Sequence, residues 1–337
     1  MNSDARYTKF ALVREMMETP GIIRNFKLKN SENIIKKIKQ TRGLFLTGEG
    51  SSRIFSAKNA IAQSLKSGLD ITLATEGSLQ ADEYELSRFV VFAASNSGRT
   101  KEIIYLFDKL KKAGHKNLFG LTANKNTKLE TLAEQTFILS CGSEEAVAAT
   151  KSSVEQALFY QVLLAEVQGK SISGKLDCLA NAFEAALTAP VDSAVTDAVI
   201  KAETIYFAGR NDGVAEELAV KTNEIVRKKS DFLEGTSYMH GIQEVMSPTD
   251  IVFLIDPYTS ELDKTRSILV DEVGLKVFAV SDKDTIFQTI RVNGIDNLSN
   301  FVYLAAGWNI LVEAGIALGI NLDKTERARK VGNVFPG

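Results

Sequence analysis

"SRFVVFAASNSGRTKEIIYLFDKLKKAGHKNLFGLTAN", residues 87–124, contains one complete structural unit. The run Phe89–Ala94 is short, apolar and partly β-branched, the pattern of a strand buried on both faces. Six residues, Ser95 to Thr100, then carry hydroxyl, amide or guanidinium groups or are glycine. From Lys101 the apolar side chains Ile103, Ile104, Phe107 and Leu110 recur at helical spacing, and Gly114 closes the run. "KNLFGLTAN" (116–124) is a second apolar strand. Strand, helix, strand in this order predicts a parallel βαβ unit with a right-handed crossover.

The same alternation extends in both directions. "GLFLTGEGSS" (43–52) reads as a strand running into a Gly/Ser turn, "RIFSAKNAIAQSLKSG" as a helix and "DITLATEG" as a strand. "TFILSCG" supplies a fifth strand, and "SVEQALFYQVLLAEVQG" a long helix. Upstream, helices are expected over 10–26, interrupted at Pro20, and over 31–40. "LDCLANAFEAALTAP" predicts a bridging helix that ends near Pro190. The second half repeats the theme with strands in "ETIYFAGR" (203–210), "DIVFLIDPYTSEL" (250–262) and "GLKVFAVSD" (274–282). A helix over "VAEELAVKTNEIVRKK" and a terminal helix over "FVYLAAGWNILVEAGIALGI" complete it. A chain of 337 residues exceeds most single cores. The expected fold is α/β, with domains over 1–175 and 176–337, each a three-layer α/β/α sandwich around a mainly parallel sheet.

Composition narrows the function. A net charge of −2 gives no bulk attraction to nucleic acid or to an anionic membrane. Cys141 and Cys178 lie far apart without metal spacing, which fits a reducing compartment. No run approaches eighteen apolar residues, and "MNSDARYTKF" lacks an apolar signal core, so a cytoplasmic location is expected. With only His115 and His240, a histidine-rich metal site is not expected; nor is a cofactor. His115, in a helix-to-strand turn, reads as a surface residue.

Two strand-end turns, Gly50-Ser51-Ser52 and Ser95–Thr100, are rich in hydroxyls, and each leads into a helix. A helix N-terminus offers unpaired N–H groups and positive partial charge, and Ser or Thr adds O–H donors. One such turn alone would be explained by capping, with Ser97 or Thr100 ahead of Lys101. Two at equivalent strand ends favour a phosphate.

At these residues the chain resembles a known family. S-x-S-G-x-T at 95–100 is similar to the phosphosugar signature of SIS (sugar isomerase) domains. "GEGSS" (48–52) resembles their first hydroxyl loop, and "EEAVAATKSSVEQ" (144–156) the V-A-S-T-K stretch after their last strand. Two such domains in tandem resemble the isomerase half of the glutamine:fructose-6-phosphate aminotransferases, without a glutaminase domain. The resemblance implies that Ser51, Ser52, Ser95, Asn96, Ser97 and Thr100 hold a sugar phosphate, with backbone contacts from Val147 and Ala149. It also implies a homodimer whose histidine loop crosses to the neighbouring subunit. Asn96 and Arg99 stand where the family often has Gln and Glu.

Glu217, Lys221 and Glu224 fall on one face of a helix. By composition that face reads as exposed, with Glu217–Lys221 a surface pair worth about 0.3–0.5 kcal/mol. The family pattern reads it otherwise. A lysine, a glutamate three residues on and a histidine sixteen beyond form its catalytic set, matched here by Lys221, Glu224 and His240. In aldose–ketose interconversion a carboxylate carries the proton between C1 and C2, a histidine assists ring opening, and an ammonium stabilises the enolate. Lys330 matches a family lysine able to form a Schiff base. Ser237 replaces the acid that commonly precedes the histidine. The implied activity is a phosphosugar isomerase or an isomerising deaminase of a hexose or aminohexose 6-phosphate. Hydrolysis by a fructosamine-6-phosphate deglycase is the alternative. A non-catalytic sugar-phosphate regulator is the other class, which the short lead before the first strand and the absence of basic charge disfavour.

Overall fold

The computed structural model describes residues 1–327. The strands are β1 (Gly43–Gly48), β2 (Thr72–Glu76), β3 (Val90–Ala94), β4 (Leu118–Thr122), β5 (Gln135–Ile138), β6 (Thr204–Gly209), β7 (Lys229–Glu234), β8 (Ile251–Ile255), β9 (Lys276–Ser281) and β10 (Gln288–Arg291). They form two five-stranded sheets, β2-β1-β3-β4-β5 and β7-β6-β8-β9-β10, with every pairing parallel. Both sheets have the same strand order and are flanked by helices, so the repeat seen in the sequence is a repeat of topology.

Each sheet belongs to one compact unit. The first unit contains Gly21–Glu144 and Ala149–Leu176; the second contains Met1–Pro20, Glu145–Ala148 and Asp177–Glu326. The chain passes from the first unit to the second after Leu176, and residues 1–20 and 145–148 also belong to the second. In the first sheet Phe92 stacks with Phe119 (6.2 Å) and with Phe137 (5.9 Å), with Tyr160 edge-on at 5.3 Å. In the second, Phe207, Phe253 and Phe278 stack at 5.4 and 5.3 Å on β6, β8 and β9.

Three expectations need correction. The helix Ala11–Asn25 continues through Pro20 instead of breaking there. Leu12, Met16 and Ile23 are fully buried on either side of the proline, and that burial offsets the lost hydrogen bond. Strands β7 and β10 were not legible because both are edge strands with largely exposed residues. Their backbones follow β6 and β9 without needing an apolar run. The helix expected over 214–229 ends as an α-helix at Lys221 and passes into a π-helical turn, Thr222–Val226.

Both sheets reverse strand order between their first and third strands, β1/β3 and β6/β8. The carboxyl ends at such a switch point are where α/β proteins place ligands. Gly48 pairs with Ala94, so the hydroxyl turns after β1 and β3 start side by side.

Candidate functional site

In the first unit, Ser51 and Ser52 lie in a single 3-10 turn, Gly50–Ser52, which Gly50 enters at φ 54°. Ser51 is buried and Ser52 half-buried. The neighbouring Glu49 accepts from the Ser78 backbone N–H at 2.8 Å.

The turn after β3 is held from several sides. The Asn96 carbonyl accepts from Ala123 N (3.1 Å), Thr122 Oγ1 (3.0 Å) and Asn124 Nδ2 (2.8 Å). Ser95 Oγ and Thr100 Oγ1 share one hydrogen bond of 2.7 Å, which leaves one hydroxyl proton of the pair to donate elsewhere. Ser97 Oγ accepts from Arg99 N at 3.2 Å, so its own proton is likewise available. Among the described residues the backbone N–H groups of Asn96, Ser97 and Thr100 have no partner. Successive N–H groups of this kind, ahead of the helix Lys101–Lys112, suit an anion. Arg99 is exposed and makes no ion pair among the described residues.

Gly98 is what lets the chain turn so tightly. Its φ is 63°, and a Cβ there would stand 2.5 Å from the Thr127 side chain. Thr127 cannot yield, because its hydroxyl and backbone form a capping box with Glu130. Gly98→Ala is therefore expected to destabilise the protein by about 1–3 kcal/mol, read as a lower urea midpoint at unchanged slope.

Of the two residues implied to make backbone contacts, Val147 has its N–H bound to Asp323 O at 3.2 Å, leaving only its carbonyl. The Ala149 N–H has no partner among the described residues. Sequence reasoning overlooked Glu144, a buried carboxylate that accepts from Asn96 Nδ2, Thr150 and Ser152. It also overlooked Glu155, also buried, which accepts from Ser140 N and Oγ and from Cys141 N. Acids three residues before the V-A-A-T-K stretch and four residues after it were the trace of both.

In the second unit, Lys221 and Glu217 are fully buried, which corrects the reading of an exposed face. Lys221 Nζ lies 3.2 Å from Glu217 Oε1 and 2.7 Å from Glu224 Oε2. Burial opposes the ammonium charge, but the two carboxylates outweigh it and raise the lysine above its ordinary pKa. The helix Ser299–Ala317 covers this group. A Cβ at Gly307 would collide with Leu218, and one at Gly315 would stand 3.1 Å from the Ile225 carbonyl. These two glycines let the helices approach closely enough to exclude water.

The π-helical turn alters the exposure of the residues beyond Lys221. Glu224 keeps 28 % of its side-chain surface exposed while its partner lysine has none. π-bulges occur frequently at functional sites. Lys221 is fully buried, and its ammonium faces Glu217 and Glu224. His240 is exposed at the end of a 3-10 turn, Ser237–Met239, and its ring has no hydrogen-bond partner among the described residues. The loop is anchored from below by Tyr238, whose hydroxyl lies 3.0 Å from Thr265 Oγ1. The structure joins Lys221 to Glu224 and gives His240 a hydrogen bond to neither. Ser237 Oγ donates to the Glu234 carbonyl. Lys330 lies outside the described residues.

The C-terminal domain of glucosamine-fructose-6-phosphate aminotransferase from Francisella tularensis superposes over 96% of this chain and 100% of its own length, at 17% identity and a TM-score of 0.79. The fold is that of the SIS proteins. A tagatose-6-phosphate ketose/aldose isomerase from Escherichia coli superposes with a TM-score of 0.76 at 16% identity, over 97% of this chain and 100% of that one. A glucosamine-6-phosphate deaminase from Thermotoga maritima gives 0.71 at 20% identity, over 95% and 98%. No family model matches the chain, and no curated protein matches it by sequence. Among the described residues, no helix is long and apolar enough to cross a membrane, and no group of three or more His, Cys, Asp or Glu could hold a metal ion.

Proposed function

We propose that this protein is a phosphosugar isomerase or isomerising deaminase that moves a proton between C1 and C2 of a hexose or aminohexose 6-phosphate. The observation that carries the reading is Glu224, a partly exposed carboxylate on a π-helical turn, backed by a fully buried lysine. A buried ammonium at 2.7 Å holds that carboxylate in one orientation, which a proton-carrying base needs. The hydroxyls and unpartnered N–H groups of the Ser95–Thr100 turn take the phosphate. His240, exposed on an anchored loop, is the acid–base group for ring opening. The similar structures named for isomerisation and deamination of phosphosugars support the same chemistry.

Binding and turnover test different parts of this reading. Ser97→Ala and Thr100→Ala each remove a hydroxyl donor to an anion, worth about 1.5 kcal/mol or more. Affinity for glucose 6-phosphate, measured by calorimetry, is expected to fall about tenfold per substitution. Unchanged affinity in the double variant removes the phosphate assignment. A screen of hexose and aminohexose 6-phosphates, followed for ketose formation and ammonia release, then separates isomerase from deaminase.

Arg99 favours a second reading. An exposed guanidinium beside the phosphate turn suits a substrate with another anionic group. The Amadori product of an amino acid and a hexose phosphate has one, its carboxylate. A deglycase would hydrolyse that fructosamine 6-phosphate and release the free amino acid, which a screen extended to fructosamine 6-phosphates and read for free amino acid detects.

A further inference from the structure

The hydrogen-bonding polarity of the Asn96 side chain is set by Glu144. The Glu144 carboxylate is 6 % exposed and accepts at both oxygens. Oε1 takes Thr150 N (2.7 Å), Thr150 Oγ1 (3.2 Å) and Ser152 N (3.3 Å). Oε2 takes Ser152 Oγ (2.6 Å) and Asn96 Nδ2 (3.1 Å). An ionised carboxylate can only accept, so Asn96 must turn its NH2 toward Glu144 and its Oδ1 away. Oδ1 is buried and takes no hydrogen bond among the described residues.

A phosphate dianion, too, can only accept. Asn96 Oδ1 offers it nothing. The second N–H of Nδ2 could reach an anion only by bringing it close to the Glu144 carboxylate, where like charges repel. The groups left to a phosphate at this turn are the hydroxyls of Ser95, Ser97 and Thr100 and the unpartnered N–H groups.

We propose that Asn96 is a positioning residue rather than a phosphate ligand, and that Glu144 and Asn96 together brace the turn. The brace ties the turn after β3 to Thr150 and Ser152 at the start of the helix Lys151–Val167. This rests on the reading that the turn binds a sugar phosphate.

The test compares Glu144→Gln, Asn96→Ala and the double variant. A glutamine at 144 that turns its NH2 toward Thr150 and Ser152 meets their N–H groups, and one that turns its NH2 toward Asn96 no longer requires Asn96 Nδ2 on that side. Each single variant is expected to bind glucose 6-phosphate and inorganic phosphate about tenfold more weakly. The double variant is expected to be no weaker than the worse single one, because both remove one brace. Losses that multiply, or a loss in Asn96→Ala with none in Glu144→Gln, make Asn96 a direct ligand and overturn the proposal. A readout independent of ligand is exchange of the Asn96 side-chain amide protons in protein labelled with 15N-asparagine. Exchange is expected to be slow in the wild type and faster in Glu144→Gln, and equal rates overturn the brace. If the wild type binds neither phosphate probe, the phosphate reading falls, and amide exchange alone decides the brace.

Discussion

Glu224→Gln is expected to slow the chemical step by about 10²–10⁴-fold, the usual loss when a general base is removed. Glutamine keeps the shape of the side chain, so affinity for the sugar phosphate stays close to that of the wild type. The decisive measurement is solvent exchange. In deuterated water the wild-type protein should place deuterium at C1 or C2 of the substrate, and the variant should not. Exchange at the wild-type rate in the variant would reduce Glu224 to the solvent-facing end of an ion pair. A regulatory sugar-phosphate binder makes the opposite forecast, with tight binding and no exchange even in the wild type.

Removal of Lys221 should carry the largest cost in stability. Lys221→Met leaves the fully buried Glu217 without the ammonium 3.2 Å away. Breaking a buried pair from one side typically costs about 3–5 kcal/mol. Replacing both partners with apolar side chains, as Lys221→Met with Glu217→Leu, should recover much of that loss, because no charge then remains buried. Urea unfolding of the two single variants and the double variant gives the comparison. The pH dependence has a definite sign. The folded-state pKa of Lys221 is raised, so its contribution is complete below the ordinary lysine value of about 10.4 and is lost as pH rises through the higher folded value. The penalty of Lys221→Met should therefore be the same at pH 7 and pH 9. A penalty that shrinks over this range would mean the lysine is not held charged by its two carboxylates. Loss of Lys221 should also lower turnover, because Glu224 loses the group that orients it.

The pattern of alternation along the chain determined the class of fold. The apolar runs of β1, β3, β4, β6, β8 and β9 are legible because buried strands must be apolar whatever their partners. Ser95–Thr100 could be read as an anion-binding turn because a second hydroxyl turn, Gly50-Ser51-Ser52, stands at an equivalent strand end. Edge strands β7 and β10 were hidden because their order comes from pairing to β6 and β9 rather than from burial of their own side chains. Other features depended on neighbours distant in sequence. Whether the Glu217–Lys221–Glu224 face met water was decided by Gly307 and Gly315, eight residues apart on another helix, whose missing side chains let it close over that face. The polarity of Asn96 was decided by a carboxylate 48 residues away. Local sequence states which groups a segment carries. Only tertiary packing sets the dielectric around them and the partners they face, and for Lys221 and Asn96 these decide their roles.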